Sequence, residues 1–258
     1  MKKILLIAAT ALFAFTACTS EVHKPKILAH RGHASTGTQF TTDENSLDAL
    51  RRAQEGNFDA VEFDVHITAD NQLVIHHDNK IADGLTCQGN TLEEIRAHRL
   101  PFGHQIPTLR EWLEQAKKTP ELPQLLEIKS HKGDREVELI KLALEEIREL
   151  DMLDQMYMLS FKLSTLDEVK RQEPKMRVVY NSSSLHKSLT PAEVKERGYE
   201  AVSYNMNVIL NHPEWIEQFH NYGIETYFWM VNSKYAYTIA QEWGFTWVTT
   251  DFYDEITK

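Results

Sequence analysis

The sequence predicts an α/β fold closed into an eight-stranded (β/α) barrel, with a small insertion after the second strand. Three observations carry this. Short β-rich apolar runs alternate with helical patterns along the chain, the mark of βαβ units and a parallel sheet. Eight such runs fall within about 240 residues, the usual size of a closed barrel. No Pro/Gly/Ser-rich linker or charge block divides the chain, so one core is expected over 26–258. A doubly wound open sheet is the competing arrangement.

The N-terminus stands apart from the fold. Residues 1–17 carry two lysines, an apolar stretch from Ile4 to Phe15 and small residues before Cys18. A stretch of that length is short for a bilayer, which takes about 20 residues, and it reads as an export signal. The ending Phe15-Thr16-Ala17-Cys18 resembles a bacterial lipobox, which implies lipidation of Cys18, a membrane anchor and a site in the cell envelope. An ordinary signal peptide with an incidental Cys18 is the alternative. Residues 18–25 then form a short tether. Cys87 is the only other cysteine, so core packing rather than a disulfide must hold the fold. The net charge is −10 and falls to −12 once Lys2 and Lys3 leave with the signal, which argues against nucleic acid as a partner.

The eight strand-like runs are Lys26–Gly32, Ala60–His66, Gln124–Lys129, Met156–Phe161, Arg177–Asn181, Ala201–Asn205, Glu225–Val231 and Thr246–Thr250. Helical patterns over Ser46–Gly56, Asp134–Leu150, Leu163–Gln172, Pro191–Arg197, Pro213–Tyr222 and Ser233–Trp243 separate them, giving a TIM-type order. One unit is irregular. After the second run come the turn-rich Thr68-Ala69-Asp70-Asn71 and a further strand-like stretch, Gln72–His77, too close for a parallel crossover. It must return as a hairpin. A four-residue turn pairing Ile67 with Gln72 puts Glu62 opposite His77 and Asp64 opposite Ile75, so that Glu62, Asp64 and His77 share a face. Residues 79–105 then form the insertion, with a short helix over Leu92–His98 in place of the usual second helix.

In Glu62-Phe63-Asp64 two carboxylates stand on one side of a strand, their Cα atoms roughly 6.5–7 Å apart, close enough to grip one ion. Glu127, within Leu126-Glu127-Ile128-Lys129, adds a third where the strand ends of a barrel converge. Three carboxylates without sulfur favour Ca²⁺ or Mg²⁺ over zinc. Taken singly, each strand's carboxylates read equally well as exposed groups or halves of ion pairs. His30-Arg31-Gly32 ends the first strand: Arg31 offers a planar fork for phosphate, and Gly32 permits a sharp turn. His77-Asp78 ends the hairpin arm. Two histidines beside a metal suit phosphodiester cleavage, one taking the proton of the attacking hydroxyl and the other protonating the leaving oxygen.

These blocks, His30-Arg31-Gly32, Glu44-Asn45-Ser46-Leu47, Glu62-Phe63-Asp64-Val65 and Leu73-Val74-Ile75-His76-His77-Asp78, resemble the glycerophosphodiester phosphodiesterase family in order and spacing. The resemblance continues through Ile106-Pro107-Thr108-Leu109, Glu127-Ile128-Lys129, Ser160-Phe161, Trp229-Met230-Val231-Asn232 and Thr250-Asp251, nearly the whole mature chain. It implies a hydrolase that releases glycerol phosphate and an alcohol from small glycerophosphodiesters. His30 and His77 would be the acid/base pair, in unassigned order. Glu62, Asp64 and Glu127 would hold the metal, Arg31 and Lys129 would bind phosphate, and Trp229 would line the glycerol pocket. The neighbouring glycerol hydroxyl would attack phosphorus through a cyclic phosphate. Lysophospholipid hydrolysis of the phospholipase D kind and a non-catalytic surface lipoprotein are the competing functions.

The chain also departs from the family. Asp43 stands where a Pro is usual, the segment Ala34–Thr42 is longer and more polar, and Phe252-Tyr253 follow the last Asp. These affect the rim rather than the chemistry. Asn45 and Glu44 read as a helix cap and an orienting residue. Tyr204, Tyr227 and Phe228 read as packing, and Cys87 as a buried thiol.

Overall fold

The computed structural model describes residues 23–258; the signal over 1–17 and the lipidation site Cys18 lie outside the described residues. Eight parallel strands form the barrel: β1 (Lys26–Ala29), β2 (Ala60–Ile67), β3 (Gln124–Ile128), β4 (Met156–Ser160), β5 (Arg177–Ser182), β6 (Ala201–Asn205), β7 (Glu225–Trp229) and β8 (Trp247–Thr250). Each pairs with the next, and β1 pairs with both β8 (Lys26 with Trp247) and β2 (Ala29 with Val61). That double pairing closes the sheet and excludes the doubly wound alternative. Several strands end one to three residues before the expected boundary, as at His30, Lys129 and Met230, because there the chain leaves the ladder to build the rim.

Side chains alternate between two cores, as strand geometry requires. Val61, Phe63, Val65 and Ile67 of β2 face outward into the shell of helices, where Phe63 stacks on Trp112 at 4.7 Å. Ala60 faces inward to Leu28, Leu125, Tyr157, Leu159, Val179, Ala201, Tyr227 and Trp247, an apolar plug filling the barrel. The helix Leu47–Glu55 shows how the shell is specified. Ser46 caps it by accepting from Ala49 N at 3.1 Å, and Ala49, Leu50 and Ala53 form its buried stripe.

Two expectations about the irregular unit need correction. The return strand is Leu73–Ile75, pairing Val65 with Ile75 and Ile67 with Leu73, one residue out of the expected register. The turn holds five residues: Thr68 N donates to Gln72 O, Thr68 Oγ1 accepts from Gln72 N, and Asn71 takes the left-handed conformation at φ 62°. Since a one-residue slip exchanges faces, the pairing argument for His77 fails. Its position arises instead because the ladder stops at Ile75 and the chain turns back to the rim. Nor does the insertion replace the second helix. Leu109–Ala116 occupies that place, announced by a capping box between Thr108 and Glu111. The insertion is a hairpin (Lys80–Ala82, Leu85–Thr86) and a helix (Leu92–Ala97) around Val74, Cys87, Ile95, Leu100 and Ile106.

Candidate active site

Two residues beyond each member of the plug, the same strand face presents a side chain to a cavity of about 160 Å³ at the C-terminal mouth. Leu28 leads to His30, Ala60 to Glu62, Leu125 to Glu127 and Leu159 to Phe161. Val179 leads to Asn181, Ala201 to Ser203, Tyr227 to Trp229 and Trp247 to Thr249. The polar ionisable members come from β1 to β3, on one side of the ring. Arg31, His77 and Lys129 complete that side. Asp64, fully buried, stands on the face of β2 that carries Glu62.

Carboxylate oxygens of Glu62, Asp64 and Glu127 all lie within 4.8 Å of one another. The Lys129 ammonium is 2.7 Å from both Asp64 Oδ1 and Glu127 Oε1. Its approach to Oδ1 is an ion pair outside hydrogen-bond geometry, and that buried oxygen lacks a hydrogen-bond partner among the described residues. Burial, then the charge of Asp64, pushes Glu62 up to about 8, and the same causes raise Glu127. Burial opposes ionisation of Asp64 too, but Lys129, His77 and Arg31 together bring it down to about 2. Three crowded carboxylates, two of them driven toward neutrality, fit a hard divalent cation. A second group, His30, Glu44 and Asp251, also lies within 4.8 Å. There the hydrogen bond between His30 Nδ1 and Asp251 Oδ1 already engages two of the three residues.

The loop after β1 is shaped around these acids. Arg31 N donates to Glu62 Oε2 at 2.9 Å, and the Arg31 guanidinium lies 3.7 Å from Asp64 Oδ2 and 3.5 Å from Glu44 Oε2. Asn45 grips Asp64 twice, donating from Nδ2 to Oδ2 at 2.8 Å and accepting from Asp64 N at 3.2 Å. It thus orients a carboxylate, while Ser46 is the helix cap. Gly32 sits at φ 79°, and a Cβ there would meet Ala49 Cβ and carbonyl carbon at 2.8 Å. Asp43, in place of the usual Pro, accepts from Phe102 N at 3.0 Å and pairs with His104 Nδ1 at 2.8 Å, tying this loop to the insertion.

The two histidines sit in opposed environments. His30 Nδ1 is 2.6 Å from Asp251 Oδ1, and Asn232 Nδ2 donates to Asp251 Oδ2 at 2.7 Å. Burial disfavours charge on His30, but the Asp251 hydrogen bond and the charge of Glu62 outweigh it and raise its pKa. For His77 burial is again the largest influence. Asp64 opposes it, Lys129 and Arg31 reinforce it, and the net shift is downward. His77 Nδ1 lies 2.8 Å from Asp78 Oδ1, whereas His76 turns to the Asp78 carbonyl and stays out of the cavity. Asp251 and Asn232 were missed as site residues by sequence reasoning, although both lie in blocks of family resemblance. The signal that could have found Asp251 is its place just past β8, next to β1 and His30.

Trp229 lines the cavity, its Nε1 donating to Ser203 O at 3.1 Å. Tyr204, Tyr227 and Phe228 are buried in the two cores. Cys87 is buried, and desolvation pushes its thiol up to about 12, which fits a packing role. Every predicted site residue except Cys18, which is outside the described residues, meets at this mouth.

Known proteins agree with the geometry. The profile of the "Glycerophosphoryl diester phosphodiesterase family" matches residues 30–255. A glycerophosphodiester phosphodiesterase of Parabacteroides distasonis, known from its crystal structure, is 31% identical; the similarity covers 89% of this chain and 93% of that one, with a TM-score of 0.82. The glycerophosphodiester phosphodiesterase of Caldanaerobacter subterraneus is 29% identical over 231 residues, 82% of this chain and 87% of its own. An Oleispira antarctica phosphodiesterase, solved in complex with the product sn-glycerol-3-phosphate, shares the fold at 22% identity and a TM-score of 0.77, over 90% of this chain and 95% of its own. The chain belongs to the glycerophosphoryl diester phosphodiesterase family.

Proposed function

We propose that this protein hydrolyses glycerophosphodiesters to glycerol 3-phosphate and an alcohol, using His30 and His77 as acid and base and a divalent cation, Ca²⁺ or Mg²⁺. The observation that carries it is the convergence of Glu62, Asp64 and Glu127 with two oppositely tuned imidazoles on one cavity. The product bound to the Oleispira protein agrees with this substrate class.

When bound by the three carboxylates, the cation supplies Lewis acidity toward the phosphoryl oxygens and the attacking hydroxyl. Arg31 and Lys129 orient the phosphate and offset its charge. His77, held toward the neutral form, accepts the proton of the glycerol C2 hydroxyl as its oxygen bonds to phosphorus. His30, held toward the cationic form by Asp251, donates a proton from Nε2 to the departing alcohol oxygen as the P–O bond breaks. Opening of the cyclic phosphate by water reverses the two roles and restores both protons. Asp251 and Asn232 fix the His30 ring for this exchange, as a carboxylate does in other acid/base pairs.

We further propose export and envelope anchoring through a diacylated Cys18, supported by the lipobox-like ending of the signal. The test of the activity is release of glycerol 3-phosphate from glycerophosphocholine. His30→Ala and His77→Ala should each lose at least about a hundredfold in turnover. Wild-type turnover in either variant contradicts the assignment.

A further inference from the structure

We propose that Asn181, with Ser203 beside it, reads the free terminal hydroxyl of the substrate's glycerol half and makes that hydroxyl a requirement for efficient turnover. The inference rests on the glycerophosphodiester reading above. Asn181, one residue before the end of β5, is 6% exposed and lines the cavity. Its side-chain Oδ1 is buried and has no hydrogen-bond partner among the described residues. Nothing in the catalytic machinery uses it. A buried amide oxygen left unpaired is costly, and one facing a cavity finds its missing partner in the ligand.

The position identifies which part of the ligand. Asn181 and Ser203 are register partners on β5 and β6, so two polar side chains stand side by side. In the closed strand order β6 lies across the barrel from β2, which carries Glu62 and Asp64. With phosphorus at Arg31 and Lys129 and the C2 hydroxyl at His77, the one glycerol carbon left is the terminal CH2OH. It points away from the carboxylates, toward this wall. Phe161 and Trp229, in edge-to-face contact at 6.0 Å, form the apolar sides of the slot. An amide both donates and accepts, which matches a hydroxyl that does the same. An acyl ester on the terminal oxygen would remove the proton that Asn181 Oδ1 accepts.

The experiment compares glycerophosphocholine with its analogue in which the terminal CH2OH is CH3 and the C2 hydroxyl is retained, in the presence of cation. The wild type should lose about a hundredfold in kcat/KM on the analogue, the order expected when one buried polar group is left unpaired. Asn181→Leu, similar in size but apolar, should handle the two substrates within about threefold of each other. Asn181→Ser, which keeps a polar group, should regain part of the discrimination. A wild type that treats the two alike overturns the proposal while leaving the activity intact, and so does discrimination that survives in Asn181→Leu. A wild type inactive on both overturns the activity itself. If Asn181→Leu fails to fold, the wild-type comparison with Asn181→Ser decides.

Discussion

Cation affinity should depend on pH through Glu62, and the dependence can be worked out from the site. Burial and the neighbouring Asp64 push this carboxyl from 4.5 up to about 8, so the cation-free protein holds it protonated at neutral pH. A cation that ligates Glu62 must displace that proton. Below about pH 8, each unit of acidification therefore weakens apparent binding about tenfold, or 1.36 kcal/mol. Between pH 8 and pH 6 the dissociation constant should rise about fiftyfold, with about half a proton released per ion bound at pH 8 and close to one at pH 6. Glu127 is raised by the same causes and can only steepen the slope. Asp64, already at about 2, contributes nothing in this window. The assay is calorimetric titration of Mg²⁺ or Ca²⁺ into chelator-stripped protein at pH 6, 7 and 8, in buffers of different ionisation heat so that released protons are counted. Glu62→Gln serves as the control and should flatten most of the slope. A dissociation constant unchanged from pH 6 to pH 8 would refute the idea that Glu62 is a ligand drawn out of a protonated state.

Other expectations follow from single contacts. Asp251→Asn removes the hydrogen-bonded carboxylate that raises the His30 pKa; turnover should fall by about 10²–10⁴, and the alkaline limb of the kcat profile should move to lower pH, since His30 acts protonated. An unmoved limb would mean His30 is not the acid. Gly32→Ala must adopt φ 79° and force a Cβ to 2.8 Å from Ala49, so it should lose about 2–4 kcal/mol in a denaturant titration; unchanged stability would show that the loop can relax. Cys87, buried with its thiol at about 12, should resist iodoacetamide in the native protein and react on unfolding.

The barrel was legible because strand and helix periods differ and each barrel strand keeps its apolar run intact. Leu163–Gln172, Pro191–Arg197 and Ala201–Asn205 begin and end where the sequence indicates. Local polar chemistry hid the rest. The Thr68 hydroxyl and the left-handed Asn71 lengthen one turn by a residue, which no count of apolar positions reveals. The helix Leu109–Ala116 carried its signal in Thr108 and Glu111, but it followed an irregular segment that looked like its replacement. At the site, charged residues drew notice because carboxylates and histidines beside apolar neighbours are conspicuous. Asn181 and Ser203 did not, because a neutral polar residue within a strand is unremarkable until the plug beneath it is known. Val179 and Ala201 in the plug place both residues in the cavity ring by simple alternation.

The central claim is that acids from β2 and β3 and two imidazoles act around a single cation. Its most direct measurement is a titration of metal-stripped protein with Mg²⁺ or Ca²⁺, following bound ion and glycerol 3-phosphate release together. One ion per chain should bind, activity should return in step with it, and Glu62→Gln or Glu127→Gln should weaken both alike. Full turnover after chelation, or activity that returns without stoichiometric binding at these carboxylates, would contradict the account.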